Sequence, residues 1–214
     1  NAAKFFFNTV VDHRSFVIGG NSVSEHFGPS DVENLAKDSC ETCNTYNMLK
    51  LAEHLFSWEH NVKYSDYYEK ALYNHILASQ DPETGAKTYF VSTYPGHFKV
   101  YGTEENAFWC CTGTGMENPG RYNRFVYYLE NDDLYINLFI ASTLEIKDKG
   151  IKLEQITNFP YEAGTTIKVV EANDKKLNIK IRVPYWINGQ VTAKVGNETY
   201  VSDKKGYLTI SRVW

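Results

Sequence analysis

The stretch ETCNTYNMLKLAEHLFS, residues 41–57, decides how the first part of the chain folds. Its apolar residues recur at intervals of three and four, which is the spacing of one face of an α-helix. They are Met48, Leu49, Leu51, Ala52, Leu55 and Phe56. We therefore predict a helix from about Thr42 to Ser57 with a single apolar face.

Two further helices are predicted beyond this stretch. In residues 64–79 one face carries Tyr68, Ala71, Leu72, His75 and Ile76, so His75 is expected to be a hydrogen-bonded core histidine. A third helix is predicted to begin at Pro119, because proline suits the first helical turn. Its inward-facing residues would be Tyr122, Phe125, Val126 and Leu129. The segment 81–118 between these helices is predicted to be a long loop, and loops of that length are usually functional.

From Asp133 onward the sequence pattern changes from helical spacing to alternation. Runs of alternating apolar and polar residues, separated by Asn, Asp, Gly and Pro, predict β-strands. They cover residues 134–139, 151–157, 165–170, 177–183, 191–195 and 207–210. We therefore predict an α+β chain, with a helical domain over 1–132 and an antiparallel β-sandwich over 133–214.

Composition excludes two classes of partner. The 214 residues are 43% hydrophobic and 15% aromatic, which is enough for a buried core. The net charge is −4 and the basic residues are scattered, so a nucleic-acid partner is not expected. No apolar run approaches the roughly 18 to 20 residues that a membrane-spanning helix needs.

The four cysteines stand in two tight groups, Cys40 with Cys43 and Cys110 with Cys111. Such grouping is typical of metal ligands, since structural disulfides usually join cysteines that are spread along the chain. Glu41 lies inside the first group and could replace a thiolate as a ligand. Spacing alone leaves three interpretations open: a metal site, disulfides between the groups, and buried inert thiols.

Several motifs resemble one family. They are GGNSVSEHF at 19–27, ETCNTYNM at 41–48, YYEKALYNHIL at 67–77, YPGHF at 94–98 and FWCCTGTGMEN at 108–118. Together they resemble glycoside hydrolase families 127 and 146. The resemblance implies an (α/α)6 barrel followed by β-sandwich modules, and such a barrel has more helices than are predicted here. We therefore expect a multi-domain fragment, the C-terminal part of the barrel plus the start of the β region, which lacks the N-terminal part of the same barrel.

The resemblance also implies a chemistry for this chain. Cys110 would be the nucleophile and Glu25 the general acid/base, while zinc would be bound by Glu41, Cys43, Cys110 and Cys111. The implied reaction is the retaining hydrolysis of terminal β-L-arabinofuranosyl residues on plant-type oligosaccharides or polysaccharides. A secreted or periplasmic bacterial enzyme is the implied setting.

Other residues and a second function class stay open at this point. Tyr89, Tyr94 and His97 precede Cys110 in the predicted loop and could contact sugar hydroxyls or simply pack there. Cys40 is outside the implied ligand set and would be a spectator or a competing ligand. The alternative function is a non-catalytic carbohydrate-binding or scaffolding module with a structural zinc, in which no glycosyl-enzyme would form.

Overall fold

The structure, a computed structural model, describes residues 1–214 and contains two compact units, residues 1–121 and 122–214. The first unit is mainly helical and the second consists of β-strands. None of the helices combines the length and the hydropathy required of a helix that crosses a membrane.

Four α-helices form the framework of the first unit. They are α1 (Ala2–His13), α2 (Thr42–Glu59), α3 (Val62–Ala71) and α4 (Cys110–Glu117). The predicted helix over Thr42–Ser57 is confirmed as α2, which ends where His60 takes a left-handed conformation with φ 49°. The next helix begins after Asn61, whose side chain caps it by accepting the Lys63 N–H at 3.0 Å.

The chain stays helical after α3, through a π-helical turn at Leu72–Ile76 and a 3₁₀ turn at Leu77–Ser79. This confirms the helix predicted over 64–79.

Helix α1, which the sequence pattern does not predict, contributes Phe7 and Val10 to the core of this unit. Its Phe7 is fully buried and meets the rings of Tyr64 and Tyr67 edge-on, with centroids 5.0 and 5.4 Å apart. The predicted apolar face of α2 is largely buried beside them, including Ala52, Leu55 and Phe56. Each fully buried side chain of the size of Leu or Phe contributes about 1.5–3 kcal/mol through its removal from water.

The helix predicted from Pro119 is wrong. Residues Asn118–Arg121 make one 3₁₀ turn, and the chain then enters strand β1 (Tyr127–Glu130), which pairs with β2 (Asp133–Ile136). Asn131 in the connecting turn has φ 54°, a conformation that asparagine tolerates in tight hairpins. Phe125 and Val126 are buried and Tyr122 and Leu129 are half-buried, but not on one helical face, because pairing with β2 outweighs a helical spacing that is only local.

Nine strands build the second unit: β1, β2, β3 (Ser142–Ile146), β4 (Ile151–Ile156), β5 (Thr166–Glu171), β6 (Lys176–Val183), β7 (Val191–Val195), β8 (Glu198–Ser202) and β9 (Gly206–Val213). They form a four-stranded sheet of order β1-β2-β6-β9, a three-stranded sheet β3-β4-β5 and a β7-β8 hairpin. All six predicted strands are present.

The prediction of a purely antiparallel arrangement is wrong at one pair, since β2 and β6 run parallel, with Leu134 opposite Ile179. The chain leaves β2, forms the whole three-stranded sheet and returns beside β2, and such a crossover yields a parallel pair.

The two larger sheets share one hydrophobic core. Leu134 and Ile136 of β2, Leu153 of β4 and Ile179 of β6 are all buried in it. Leu144 of β3 and Ile167 of β5 pack against the same cluster. Burial alternates along β4, as expected of sheets packed face to face, whereas three consecutive residues of β2, Leu134 to Ile136, are buried.

Candidate functional site

Four side chains of the first unit, from the two motifs that contain cysteines, converge on one point. The ligand atoms of Glu41, Cys43, Cys110 and Cys111 all lie within 4.8 Å of one another. The Cys110 and Cys111 sulfurs are 4.0 Å apart, and the Cys111 sulfur is 3.8 Å from Glu41 Oε1. All cysteines are free thiols, which excludes the disulfide interpretation for this structure.

The four groups stand at the N-termini of two helices. Glu41 is the N-cap of α2 and Cys43 lies in its first turn, while Cys110 and Cys111 open α4. The N-terminus of an α-helix carries a partial positive charge of roughly half a unit, together with N–H groups that lack helical partners. Two such ends therefore favour anionic thiolates and a carboxylate at this point.

Hydrogen bonds from neighbouring segments fix the start of α2. Ser22 Oγ accepts the Glu41 N–H at 3.0 Å, and the Tyr89 carbonyl accepts the Thr42 N–H at 3.0 Å. The buried Thr42 hydroxyl donates to the Thr88 carbonyl at 3.2 Å. The ligand-bearing end of α2 is thus tied both to the loop that carries Glu25 and to the segment that carries Tyr89.

The acidic groups of the cluster are costly to ionise without a positive charge nearby. Burial raises the pKa of Cys111 and of Cys43. The pKa of Glu41 is raised by burial and by the negative charge of Glu25, against hydrogen bonds from Cys111 and Cys43 that lower it. A bound cation would remove this cost, because metal ligation deprotonates a thiol.

Glu25 lies in a strained tight turn. Ser24 and Glu25 have φ of 47° and 65°, and Val23 and His26 exchange backbone hydrogen bonds of 2.9 and 3.0 Å across them. Positive φ at both central positions matches a type I′ turn, in which Asn-Gly is the favoured pair. Residues with side chains occupy both positions here, and Glu25 is exposed at the end of the turn.

Tyr89 links Glu25 to the cysteine cluster. Its hydroxyl donates to Glu25 Oε1 and accepts a hydrogen bond from the Cys110 thiol at 3.3 Å. The Tyr89 ring packs edge-on against Trp109, the residue before Cys110, with centroids 5.8 Å apart. One hydroxyl therefore bridges the two groups with predicted catalytic roles.

Thr114 is a site residue that sequence reasoning missed. Its hydroxyl oxygen lies 3.3 Å from the Cys43 sulfur. Only its position in α4, four residues after Cys110 and thus on the same helical face, could have indicated it. That signal was absent because the sequence does not predict α4.

The other nominated residues lie outside this cluster. Cys40 is fully buried against Gly20 and is not among the four donors, and burial raises its pKa to about 12. His75 is buried and contacts the Thr45 hydroxyl at 2.8 Å, which confirms it as a hydrogen-bonded core histidine. His97 stacks on Phe98, and Tyr94 is exposed near Lys37. None of the contacts of His97 involves Glu25 or the donors.

The donor set fits a tetrahedral metal site. With a Zn–S distance of about 2.3 Å, the sulfurs around a tetrahedral zinc would be about 3.8 Å apart. The 4.0 Å between the Cys110 and Cys111 sulfurs is close to that spacing. With a Zn–O distance of about 2.1 Å the sulfur-to-oxygen spacing would be about 3.6 Å, and the Cys111 sulfur lies 3.8 Å from Glu41 Oε1. The widest separation among the four donors is within 4.8 Å, so binding would draw them slightly together. Three thiolates and a carboxylate are ligands that zinc accepts. The geometry thus matches a site for one metal ion.

Comparison with known proteins gives two family matches along the chain. Residues 1–124 match the family model described as the β-L-arabinofuranosidase GH127 catalytic domain. Residues 133–214 match the model of the GH127 middle domain. None of the curated proteins matches the chain.

Solved structures with the same fold include a GH127 β-L-arabinofuranosidase from Geobacillus stearothermophilus T6, which is 21% identical with a TM-score of 0.82 over 100% of this chain. A second, described as a GH127 β-arabinofuranosidase, is 25% identical with a TM-score of 0.79 over 97% of the chain. A third, described as a glycoside hydrolase, is 18% identical with a TM-score of 0.77 over 97% of the chain. The chain spans 38%, 36% and 40% of these three relatives, respectively.

Proposed function

Because the chain belongs to the GH127 β-L-arabinofuranosidase family, we propose that it carries the catalytic centre of a retaining glycosidase that removes terminal β-L-arabinofuranosyl residues from plant-type glycans. In this proposal the domain predicted over 1–132 supplies the C-terminal part of an (α/α)6 catalytic barrel through residues 1–121, and the β-sandwich region predicted over 133–214 also includes β1. The substrate is an oligosaccharide or polysaccharide.

Glu41, Cys43, Cys110 and Cys111 would hold zinc. The ion, when bound, supplies the positive charge that keeps the coordinated thiols deprotonated at neutral pH. The mutual distances of the four donor atoms and the absence of any disulfide among the cysteines support this assignment.

In the first step the Cys110 sulfur attacks the anomeric carbon of the arabinofuranoside. The C–S bond forms as the bond to the leaving oxygen breaks, and Glu25, in its protonated form, donates its proton to that oxygen. The Tyr89 hydroxyl, which contacts both groups, would orient Glu25 toward the leaving group.

In the second step the Glu25 carboxylate takes a proton from water, and the water oxygen displaces the Cys110 sulfur from the anomeric carbon. Glu25 thereby returns to its protonated form and Cys110 to its thiolate. Two displacements at one carbon restore its configuration, so the reaction is retaining.

A single observation carries this proposal: Cys110 belongs to the donor cluster and also contacts the hydroxyl that binds Glu25. A nucleophile and an acid/base that are separated by one hydroxyl are close enough for a double displacement. In retaining glycosidases the two reacting groups lie only about 5–5.5 Å apart.

The test is the replacement of the nucleophile in the full protein. We expect Cys110→Ala to lower the hydrolysis of an aryl β-L-arabinofuranoside by at least about 10³-fold, because no covalent intermediate can form without this sulfur. Cys40→Ala is the matched control, since Cys40 is also a free thiol but lies outside the donor cluster, and it should stay active.

Mass spectrometry of the rapidly quenched wild-type enzyme should also find a pentosyl adduct on the peptide that contains Cys110. An active Cys110→Ala variant would contradict the proposed mechanism. If the wild-type protein binds zinc but shows neither hydrolysis nor a pentosyl adduct, the alternative of a non-catalytic module with a structural zinc is favoured.

A further inference from the structure

The Thr114 hydroxyl touches a metal-ligand sulfur from outside the donor cluster. Its oxygen is 3.3 Å from the Cys43 sulfur on α2 and 3.4 Å from the Cys111 carbonyl oxygen in its own helix. Thr114 is half-buried on α4, so its hydroxyl is held between the two helices. It can donate to either of these acceptors.

The direction of the hydrogen bond depends on the state of Cys43. A hydroxyl has one proton to donate and can also accept. While Cys43 is a thiol, its S–H can donate to Thr114, and the Thr114 proton can go to the Cys111 carbonyl. A metal-bound Cys43 has no proton, so the 3.3 Å contact is favourable only if Thr114 donates to the sulfur.

A bond to an ionised acceptor is also the stronger of the two alternatives. Hydrogen bonds to charged groups are roughly twice as strong as those between neutral groups. When the Cys43 sulfur is a thiolate, the Thr114 hydroxyl is therefore expected to donate its hydrogen bond to that sulfur and not to the Cys111 carbonyl.

The backbone around Thr114 limits the alternatives for its side chain. A β-branched residue in a helix has few χ1 rotamers, and threonine uses those that place its hydroxyl near the preceding turn. Helix α4 packs against α2, and the Tyr46 hydroxyl of α2 donates to the Glu117 carboxylate at the last turn of α4. The hydroxyl is thus presented to Cys43 by a helix whose last turn is bonded to α2 and whose first turn is bonded to the Ala107 carbonyl through Thr112.

We propose that Thr114 is a positioning residue of the zinc centre, which donates a hydrogen bond to the Cys43 thiolate and holds that sulfur in its ligating orientation. This inference rests on the proposed zinc site. Thr114 does not touch the reacting atoms, and its effect is exerted through a ligand that does not itself react.

The experiment measures zinc affinity directly, by competition between the full protein and a chromophoric chelator. Thr114→Val keeps the shape and the β-branching but lacks the hydroxyl, so we expect zinc binding to weaken by about 10- to 100-fold, as for other groups that support metal ligands. Thr114→Ser keeps the hydroxyl and should restore the affinity to near the wild-type value.

Thr112→Val is the matched control within the same helix. The Thr112 hydroxyl donates to the Ala107 carbonyl and touches no donor atom, so this variant should bind zinc as the wild type does. The same proteins loaded with Co²⁺ provide a second readout, because the thiolate-to-cobalt absorption bands should shift in Thr114→Val alone. Equal unfolding temperatures of the zinc-free Thr114→Val and wild-type proteins would exclude a general loss of folding.

Three results would overturn the inference: wild-type affinity in Thr114→Val, no rescue in Thr114→Ser, or an equal loss in Thr112→Val. The measurement needs bound zinc but no turnover. A wild type that binds zinc without cleaving sugar would contradict the proposed hydrolysis and leave the role of Thr114 standing. An active enzyme in which Thr114→Val binds zinc as tightly as the wild type would contradict this inference but not the proposed hydrolysis.

Discussion

Glu25 combines a strained backbone with an exposed carboxylate, and strained residues of this kind are found at functional sites. Its proposed role can be tested with Glu25→Gln, which keeps the shape and can still accept from Tyr89 but cannot donate an acidic proton. Cleavage of an unactivated glycoside should fall by about 10²- to 10⁴-fold, the usual contribution of a general acid. An aryl glycoside with a leaving group of low pKa should lose much less in its first step.

The comparison between the two leaving groups is what identifies Glu25 as the acid. Glu33→Gln, an exposed carboxylate in the loop that follows, should leave both rates unchanged. Equal losses with both substrates would contradict the assignment, because a distorted site does not distinguish leaving groups.

At the residue scale, most of the candidate site could be predicted from the sequence. The spacing of the cysteines is typical of metal ligands but leaves disulfides and inert thiols open, and the family resemblance nominates Glu25, Glu41 and Cys110. Thr114 and the bridging contacts of Tyr89 could not be predicted, since they depend on the distance between segments that are far apart in the chain. Cys40, which stands in the same tight group as Cys43, has a left-handed φ of 53° and is not among the four converging donors.

Helix α4 shows why elements differ in how well they can be predicted. Helix α2 has 18 residues and a long apolar periodicity, whereas α4 has eight residues and two glycines. Glycine inside a helix costs about 0.5–1 kcal/mol relative to alanine, so local preference opposes α4 and packing must offset it. The converse holds over Pro119–Leu129, where the apolar spacing predicts a helix but β1 forms a strand because it pairs with β2.

The two glycines of α4 should respond oppositely to alanine. A Cβ at Gly113 meets no atom within 4 Å, so Gly113→Ala should stabilise the first unit by about 0.5–1 kcal/mol. A Cβ at Gly115 would lie 2.7 Å from Lys87 Cγ, so Gly115→Ala should give no gain or destabilise. Denaturant unfolding of the zinc-free variants measures both effects.

The contact with Lys87 can be isolated by a double-mutant cycle. Lys87→Ala removes the Cγ and Cδ that the new Cβ at Gly115 would meet most closely and leaves only the Lys87 Cβ at 3.3 Å, so adding Gly115→Ala to it should recover part of the helix-propensity gain. If Gly115→Ala stabilises as much as Gly113→Ala in the presence of Lys87, then α4 does not pack closely on this side chain.

At the scale of the whole molecule, the sequence established the division into a helical and a sheet-rich part but not the strand order. Alternation identifies strands and the face that each buries, yet it does not say which strands become neighbours. The parallel pairing of β2 with β6 arises from residues more than 40 positions apart. This pairing is selected because it is more favourable than the other strand pairings that the whole chain could form.

All four metal donors lie within residues 1–121, and this distribution predicts a local response to zinc removal. With free zinc at about 100 times its Kd, binding stabilises the folded unit by about 2.7 kcal/mol, which is about 100-fold in the equilibrium for opening. Chelation should therefore speed amide hydrogen exchange by up to about that factor in α4 and in the first turn of α2, where the donors stand.

The strands of residues 122–214 contribute no donor, so their protection should be unchanged, and they serve as the internal control in the same sample. Exchange that accelerates equally in both units would mean that zinc sets the stability of the whole chain and not only of the two helix ends. Unchanged exchange in α4 would mean that the two helices hold their donors together without the metal, as a site preorganised by the contacts of α2 with α4.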